Sequence, residues 1–208
     1  MSATLTWQNS GLGTKTGTTV AAFIADVVSV VNSKSGDGAF AWAVASSNTA
    51  TSPNYVVLKR KSGAAGRVLI VVWTSSPAGN NSAILDGAPA TNTAYCAFFP
   101  AGNVDTPSNL TASSGTIMGD DTGAVKVGAG GAVSTIYGAS FQPFYFDSAE
   151  AIFFGFQNPA AASIYGFGAG YLLVDAADNE YAAVVSSGGT TLSSFSSGSA
   201  ATFSWTSS

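Results

Sequence analysis

The sequence predicts a mainly β protein, an antiparallel β-sandwich or jelly-roll-like barrel with one short N-terminal helix. Short runs of β-branched and aromatic residues recur along most of the chain, separated by Gly, Pro, Asn and Ser clusters. Of the 208 residues, 12% are aromatic and 46% hydrophobic, which argues for a packed core and against disorder. Only one segment carries a helical period. A chain of this length can bury a single core, and no composition shift marks a second domain. Residues 1–35 read as an N-terminal arm bearing the helix, and residues 186–200 as a flexible Ser/Gly-rich connector within that one domain.

The helix is expected over Val20–Val31, where apolar residues at 20, 23, 24, 27, 28 and 31 line one face. Thr18 or Thr19 offers an N-cap after Gly17, and Ser33-Lys34-Ser35-Gly36 a basic last turn and a glycine stop. A helix of about three turns is marginal alone, and its valines make it a mediocre helix former, so it must pack on something.

Strands follow. Phe40–Ala45 alternates large and small, placing Phe40, Trp42 and Val44 on one face and alanines on the other, suited to close packing or a subunit contact. Tyr55–Arg60 and Arg67–Thr74 form a hairpin around residues 61–66. Val68–Trp73 is apolar on both faces and belongs at the centre of the sheet. Further strands are expected at Ala94–Phe99, Val125–Val127, Thr135–Gly138, Phe141–Phe146, Ala151–Phe156, Tyr171–Asp175, Tyr181–Val185 and Thr202–Trp205. Pro143 marks an edge strand or bulge, and Asp178-Asn179 a tight turn. Ala101–Ser114, polar and containing Pro107, reads as loop.

The chemistry is narrowed by what the side chains are. Only 9% of residues are charged, against about 25% in an ordinary domain, and there is no histidine. That removes the usual general base near neutral pH and every His-built triad, dyad or metal centre. The net charge of −4 gives no positive field for nucleic acid. Lys59-Arg60-Lys61, with Arg67 nearby, reads as a solvated hairpin tip and not a phosphate clamp. Cys96 reads as a small buried hydrophobe and not a nucleophile. Gly11–Thr16 lacks the spacing of a phosphate loop, and Gly166-Phe167-Gly168-Ala169-Gly170 fits a bulge or close strand packing better than a dinucleotide site. Candidate acid pairs for a glycosidase are Asp147 with Glu150, which follow the aromatic run Phe144-Tyr145-Phe146, Asp120 with Asp121, and Asp175 and Asp178 with Glu180, but acids at strand ends belong to turns. The cluster Asp175, Asp178, Asn179 and Glu180 departs from EF-hand spacing and is read as a hairpin turn. No enzyme activity, cofactor or metal is expected. Nor is a membrane span, since the longest apolar runs fall far short of roughly 20 residues. The residues Met1–Trp7 lack a basic stretch followed by an apolar run, so no signal peptide is expected.

The aromatics carry the strongest functional hint. Adjacent residues of a strand point to opposite faces, so Phe98/Phe99, Phe144/Tyr145 and Phe153/Phe154 cannot all bury inward in a two-layer monomer. Together with Trp42, these are the expected interface residues, because interface cores are rich in aromatics and poor in charge.

In character, and most of all in Tyr55–Ser75 (YVVLKRKSGAAGRVLIVVWTS) and Phe98–Thr122 (FFPAGNVDTPSNLTASSGTIMGDDT), the chain resembles a virion structural protein of a tailed bacteriophage. The resemblance implies a homo-oligomeric accessory piece of tail, baseplate or fibre attachment. It would be assembled in the host cytoplasm, bound to other virion proteins, and work by subunit contacts. A capsid decoration protein is the near alternative. A carbohydrate-binding module recognising host surface glycans is the more distant one.

Overall fold

In the computed structural model, the described residues are 6–9, 20–63, 65–75, 91–112, 115–119, 125–132, 142–147, 151–158, 163–174, 180–189, 191–192, 195–197 and 205–206. They are mainly antiparallel β with one short helix. The helix α1 spans Val20–Ser33. It is followed by β2 (Trp42–Asn48), β3 (Asn54–Arg60), β4 (Arg67–Val72), β5 (Thr93–Phe99) and β6 (Val125–Ala132). These five strands form an open antiparallel sheet in the order β2-β3-β4-β5-β6. Each pairs with its sequence neighbour, so the sheet is a meander.

The inner strands β3, β4 and β5 are apolar on both faces, and their side chains divide cleanly by parity. Trp42, Val56, Leu58, Val68, Ile70, Val72, Ala94, Cys96 and Phe98 belong to one core cluster, with Phe23, Ile24, Val27, Val30 and Val31 of α1 packed over them. Val57, Leu69, Val71, Tyr95, Ala97 and Phe99 belong to a second cluster, with Trp73 beside them. That face is closed by Leu110, Ile117 and Met118 from the irregular segment after β5. All six residues of β4 are buried, as the two-sided apolar pattern requires.

The helix starts where the period places it and ends two residues later than expected. Ser33 Oγ donates to the Val30 carbonyl at 2.7 Å, satisfying an end-of-helix acceptor. Lys34 therefore lies beyond the last turn and is not part of it. Gly36 is not left-handed, so the helix does not stop by the expected glycine device. Val30 joins the buried face, while Val28 is half-buried at its margin. The strand at 42–48 begins later and runs further than the large–small alternation suggested. A bulge between Val44 and Ser46 resets its register against β3. Its alanines are not a bare surface: Ala41 packs against the helix-side core and Ala45 against the other.

A six-stranded antiparallel sheet has the order β1-β7-β8-β9-β10-β12. Its strands are β1 (Thr6–Asn9), β7 (Gln142–Asp147), β8 (Ala151–Asn158), β9 (Ser163–Val174), β10 (Glu180–Gly189) and β12 (Phe195–Ser197). The short strands β11 (Thr191–Leu192) and β13 (Trp205–Thr206) pair with each other. Pairing with β1 covers residues 144–147 of β7, so Pro143 stands just past it, where its missing N–H takes nothing from a ladder on that side. The Gly-rich run lies inside β9, with Gly166 opposite Gly155 and Gly168 opposite Phe153. The stretch expected to be a connector is partly strand: Ser186–Gly189 continue β10, and Phe195–Ser197 pair back onto it. Thr135–Gly138 and the Asp178-Asn179 turn lie outside the described residues. No helix among the described residues is long and apolar enough to cross a membrane.

The helix-side core makes a direct stability prediction. Ile24 is fully buried, so Ile24→Ala should cost about 2–5 kcal/mol. Half-buried Val28 should lose under about 1 kcal/mol as Val28→Ala. Urea unfolding of the two variants measures both. Equal losses would mean that α1 does not present the face described.

Candidate functional site

The densest polar constellation is built by the β3–β4 hairpin and the segment that covers it. Lys59 on β3 and Arg67 on β4 are direct cross-strand partners. Two like charges in that position repel. Asp105, from the covering segment, resolves the conflict by dividing its carboxylate between them. Lys59 Nζ donates to Oδ2 at 2.7 Å, while Arg67 Nε and Nη2 both donate to Oδ1, at 3.1 and 2.9 Å. Arg67 Nη2 also reaches the Asn103 carbonyl at 3.3 Å, and Nη1 the Gly66 carbonyl at 3.1 Å. Ser46 Oγ on β2 donates to the backbone carbonyl of Asp105. Three strands thus grip one residue.

Local geometry brings Asp105 there. Gly66 N donates to the Gly102 carbonyl at 3.0 Å, and Gly102 N to the Phe99 carbonyl at 3.1 Å, turning the chain back over the sheet. A Cβ on Gly102 would lie 2.8 Å from Phe99 Cβ, so only glycine permits this approach. Further along, the segment closes on itself. Ser108 N bonds the Ile117 carbonyl at 3.0 Å, and Asn109, left-handed at φ 55°, donates through Nδ2 to the Thr116 carbonyl at 2.9 Å. A loop lying on a sheet face has no ladder to join, and these internal bonds satisfy its backbone instead.

The electrostatics follow from unequal exposure. The Arg67 side chain is 5% exposed, whereas Asp105 is 43% exposed and Lys59 36%. The hydrogen bond from Lys59 holds the Asp105 carboxyl below its ordinary pKa; partial burial opposes this, and the Arg67 hydrogen bond and both positive charges add to it. Lys61 has a separate task. Its Nζ donates to the carbonyls of Ser35 and Asp37 at 3.1 and 2.9 Å, below α1, and stands 5.6 Å from the Phe40 ring centroid. The hairpin cations Lys59, Lys61 and Arg67 are therefore engaged within the chain.

The other sequence-selected residues are placed as follows. Trp42 and Phe98 are buried under α1, and Phe99 is buried under the covering segment. Both faces of this sheet are covered by its own chain, so Trp42, Phe98 and Phe99 are not left exposed to a neighbouring subunit as expected. For Phe144, Tyr145, Phe153 and Phe154 only strand register is described: Phe144 stands opposite Gly155, Tyr145 opposite Phe154, and Phe146 opposite Phe153. Cys96 is fully buried in the helix-side core, and burial pushes its thiol far above the ordinary range, so it is held protonated. Asp147 ends β7 and Glu180 begins β10. Gly11–Thr16, Asp120, Asp121, Glu150, Asp175 and Asp178 lie outside the described residues. Among the described residues, no three His, Cys, Asp or Glu side chains come together as a metal ion requires. No family model matches the chain, and neither a curated protein nor a solved structure matches it.

Asp105 itself was missed by the sequence reading, which saw the basic cluster and the polar loop separately. Chemically, the constellation is a clamp in which one carboxylate is shared by two cations. An exposed ion pair is worth about 0–1 kcal/mol, while charge-assisted hydrogen bonds to a buried partner are worth about 1.5–3 kcal/mol. Asp105→Ala should therefore cost about 1–3 kcal/mol in urea unfolding, and Lys59→Ala under about 1 kcal/mol. Equal losses would mean that Lys59 alone, without Arg67, accounts for what Asp105 contributes. The acid response has a defined sign. Because the folded-state pKa of Asp105 is depressed, its contribution is fully present above the unfolded carboxylate value of about 3.9 and is lost as pH falls through the lower folded value. Stability measured against pH should show this component in the native chain and lack it in Asp105→Asn.

Proposed function

We propose that the chain is a structural component of a bacteriophage virion, a tail, baseplate or fibre-attachment accessory protein acting through subunit contacts. The observation that carries this reading is the doubly covered central sheet. One chain closes both of its faces and ties the hairpin cations inward, which makes a rigid body suited to bearing contacts. Its two sheets are read as the layers of a β-sandwich. In support, β9 and β10 run beside β5 and β6 without hydrogen-bonding to them, and Ile152 of β8 enters the helix-side core.

Among the described side chains, Val104 is the exposed large hydrophobic, at 37%. Subunit contacts in this reading therefore fall to the β7–β8 hairpin, where Phe144, Tyr145, Phe153 and Phe154 gather in adjacent register. Light scattering on the size-exclusion peak tests it. A discrete trimer, hexamer or larger ring is expected, and Tyr145→Ser with Phe154→Ser should reduce it to the mass of one chain. A native chain that is monomeric at all concentrations would overturn self-assembly.

A further inference from the structure

We propose that Asp37-Gly38, in the turn between α1 and β2, is a site of spontaneous aspartyl isomerisation, and that Lys61 directs its product toward the isoaspartyl form. The sequence supplies the reactants: an aspartate followed by glycine, the residue whose nitrogen is least hindered. Both are exposed, and a Cβ on Gly38 would meet no atom beyond its chain neighbours within 4 Å. The turn supplies the geometry. Phe40 N donates to the Asp37 carbonyl at 3.2 Å, leaving Gly38 N at the open corner, where it has no acceptor among the described residues. Ala39 N donates to Asp37 Oδ1 at 2.9 Å, which folds the carboxyl forward over the Gly38 peptide.

The reaction runs in two steps. Gly38 N attacks Asp37 Cγ; the N–Cγ bond forms and Cγ–Oδ2 breaks. Oδ2 leaves as water, with the Gly38 amide proton and one proton from solvent. Oδ1, held by Ala39 N, carries the charge that develops on the way. Water then opens the cyclic imide. Attack at Cγ restores aspartate. Attack at the main-chain carbonyl carbon breaks its bond to Gly38 N, which regains a proton, and leaves Cγ as the link to glycine. The second route is favoured, because two donors already point at the oxygen where its charge develops. Lys61 Nζ stands 2.9 Å from the Asp37 carbonyl oxygen and Phe40 N 3.2 Å, and the Ser35 carbonyl, at 3.1 Å, helps to hold the ammonium there. The competing attack has one neutral donor, Ala39 N. The product carboxylate faces Lys61 as an ion pair in place of a neutral acceptor. Isomerisation also inserts Cβ into the main chain between α1 and β2.

Incubation of the full chain in water enriched in oxygen-18 tests the proposal, because each passage through the imide leaves a labelled oxygen in either product. Electron-transfer fragmentation of the peptide containing residue 37 separates isoaspartate from aspartate. The folded native chain is expected to accumulate labelled isoaspartate at residue 37, and Gly38→Ala to suppress it. The ratio of labelled isoaspartate to labelled aspartate should fall about fivefold in Lys61→Met, the size that an exposed charge interaction allows. Lys61→Arg, which keeps a charged donor, should retain the native ratio. Asp86-Gly87, the second such pair in the sequence, should be unaffected by either Lys61 substitution. Absence of label at residue 37 would overturn the proposal, as would an equal ratio in the native chain and Lys61→Met, or a change shared by both pairs. Should Lys61→Met fail to fold, the native chain in urea decides: a ratio as high there as in the folded chain overturns the role of Lys61, and a lower one supports it.

Discussion

A strand that is apolar on both sides must be covered on both sides. The structure follows from meeting that demand at β4, whose six residues are all buried. The two covers are of different kinds. On one face α1 supplies an amphipathic surface whose backbone is internally bonded, so it packs by side chains alone. On the other an irregular segment does the same work and must solve its own hydrogen-bonding problem. The turn bonds at Gly102 and the internal bonds of Ser108 and Asn109 are that solution.

The same demand explains why a charged clamp sits in a chain so poor in charge. The hairpin places Lys59 opposite Arg67, an arrangement that repels unless an anion intervenes. Asp105 intervenes, and its two oxygens separate the roles: one for the ammonium, the other for the guanidinium. The result is that an unfavourable cross-strand pair becomes the anchor of the covering segment. Arg suits the buried position, because its several donors also satisfy the Gly66 and Asn103 carbonyls.

What the sequence disclosed is what local pattern can encode. The 3.6-residue period of Val20–Val31 located the helix, and the unbroken apolar run at Val68–Trp73 located the central strand. Alternation at Phe40, Trp42 and Val44 located one strand face. Features set by distant partners stayed hidden. Asp105 lies 46 residues from Lys59 and 38 from Arg67, and nothing in its own neighbourhood marks it as their partner. The burial of both Phe98 and Phe99 was hidden for the same reason: a cover made of polar, proline-containing loop has no hydrophobic period, and Leu110, Ile117 and Met118 do not announce themselves as core. The serines of β10 read by composition as part of a flexible connector, and the glycine run of β9 as a bulge or close strand packing. Pairing in the sheet overrode that weak local preference, which is the known limit of β-propensity.

The unequal exposure of the clamp places it between two better-understood cases. A fully exposed ion pair loses most of its strength to solvent and side-chain entropy, and would hold nothing down. A fully buried one is bound by a desolvation cost so large that neither partner can be released alone. With Arg67 at 5% and Asp105 at 43% exposure, the cation is committed to the sheet while the anion remains in exchange with water. The cation thus marks a fixed point on the sheet, and the anion is what the covering segment brings to it. Leu110, Ile117 and Met118 do not by themselves set such an address, because hydrophobic contact is non-directional and would accept several registers on a flat apolar face. Asp105 selects one of them.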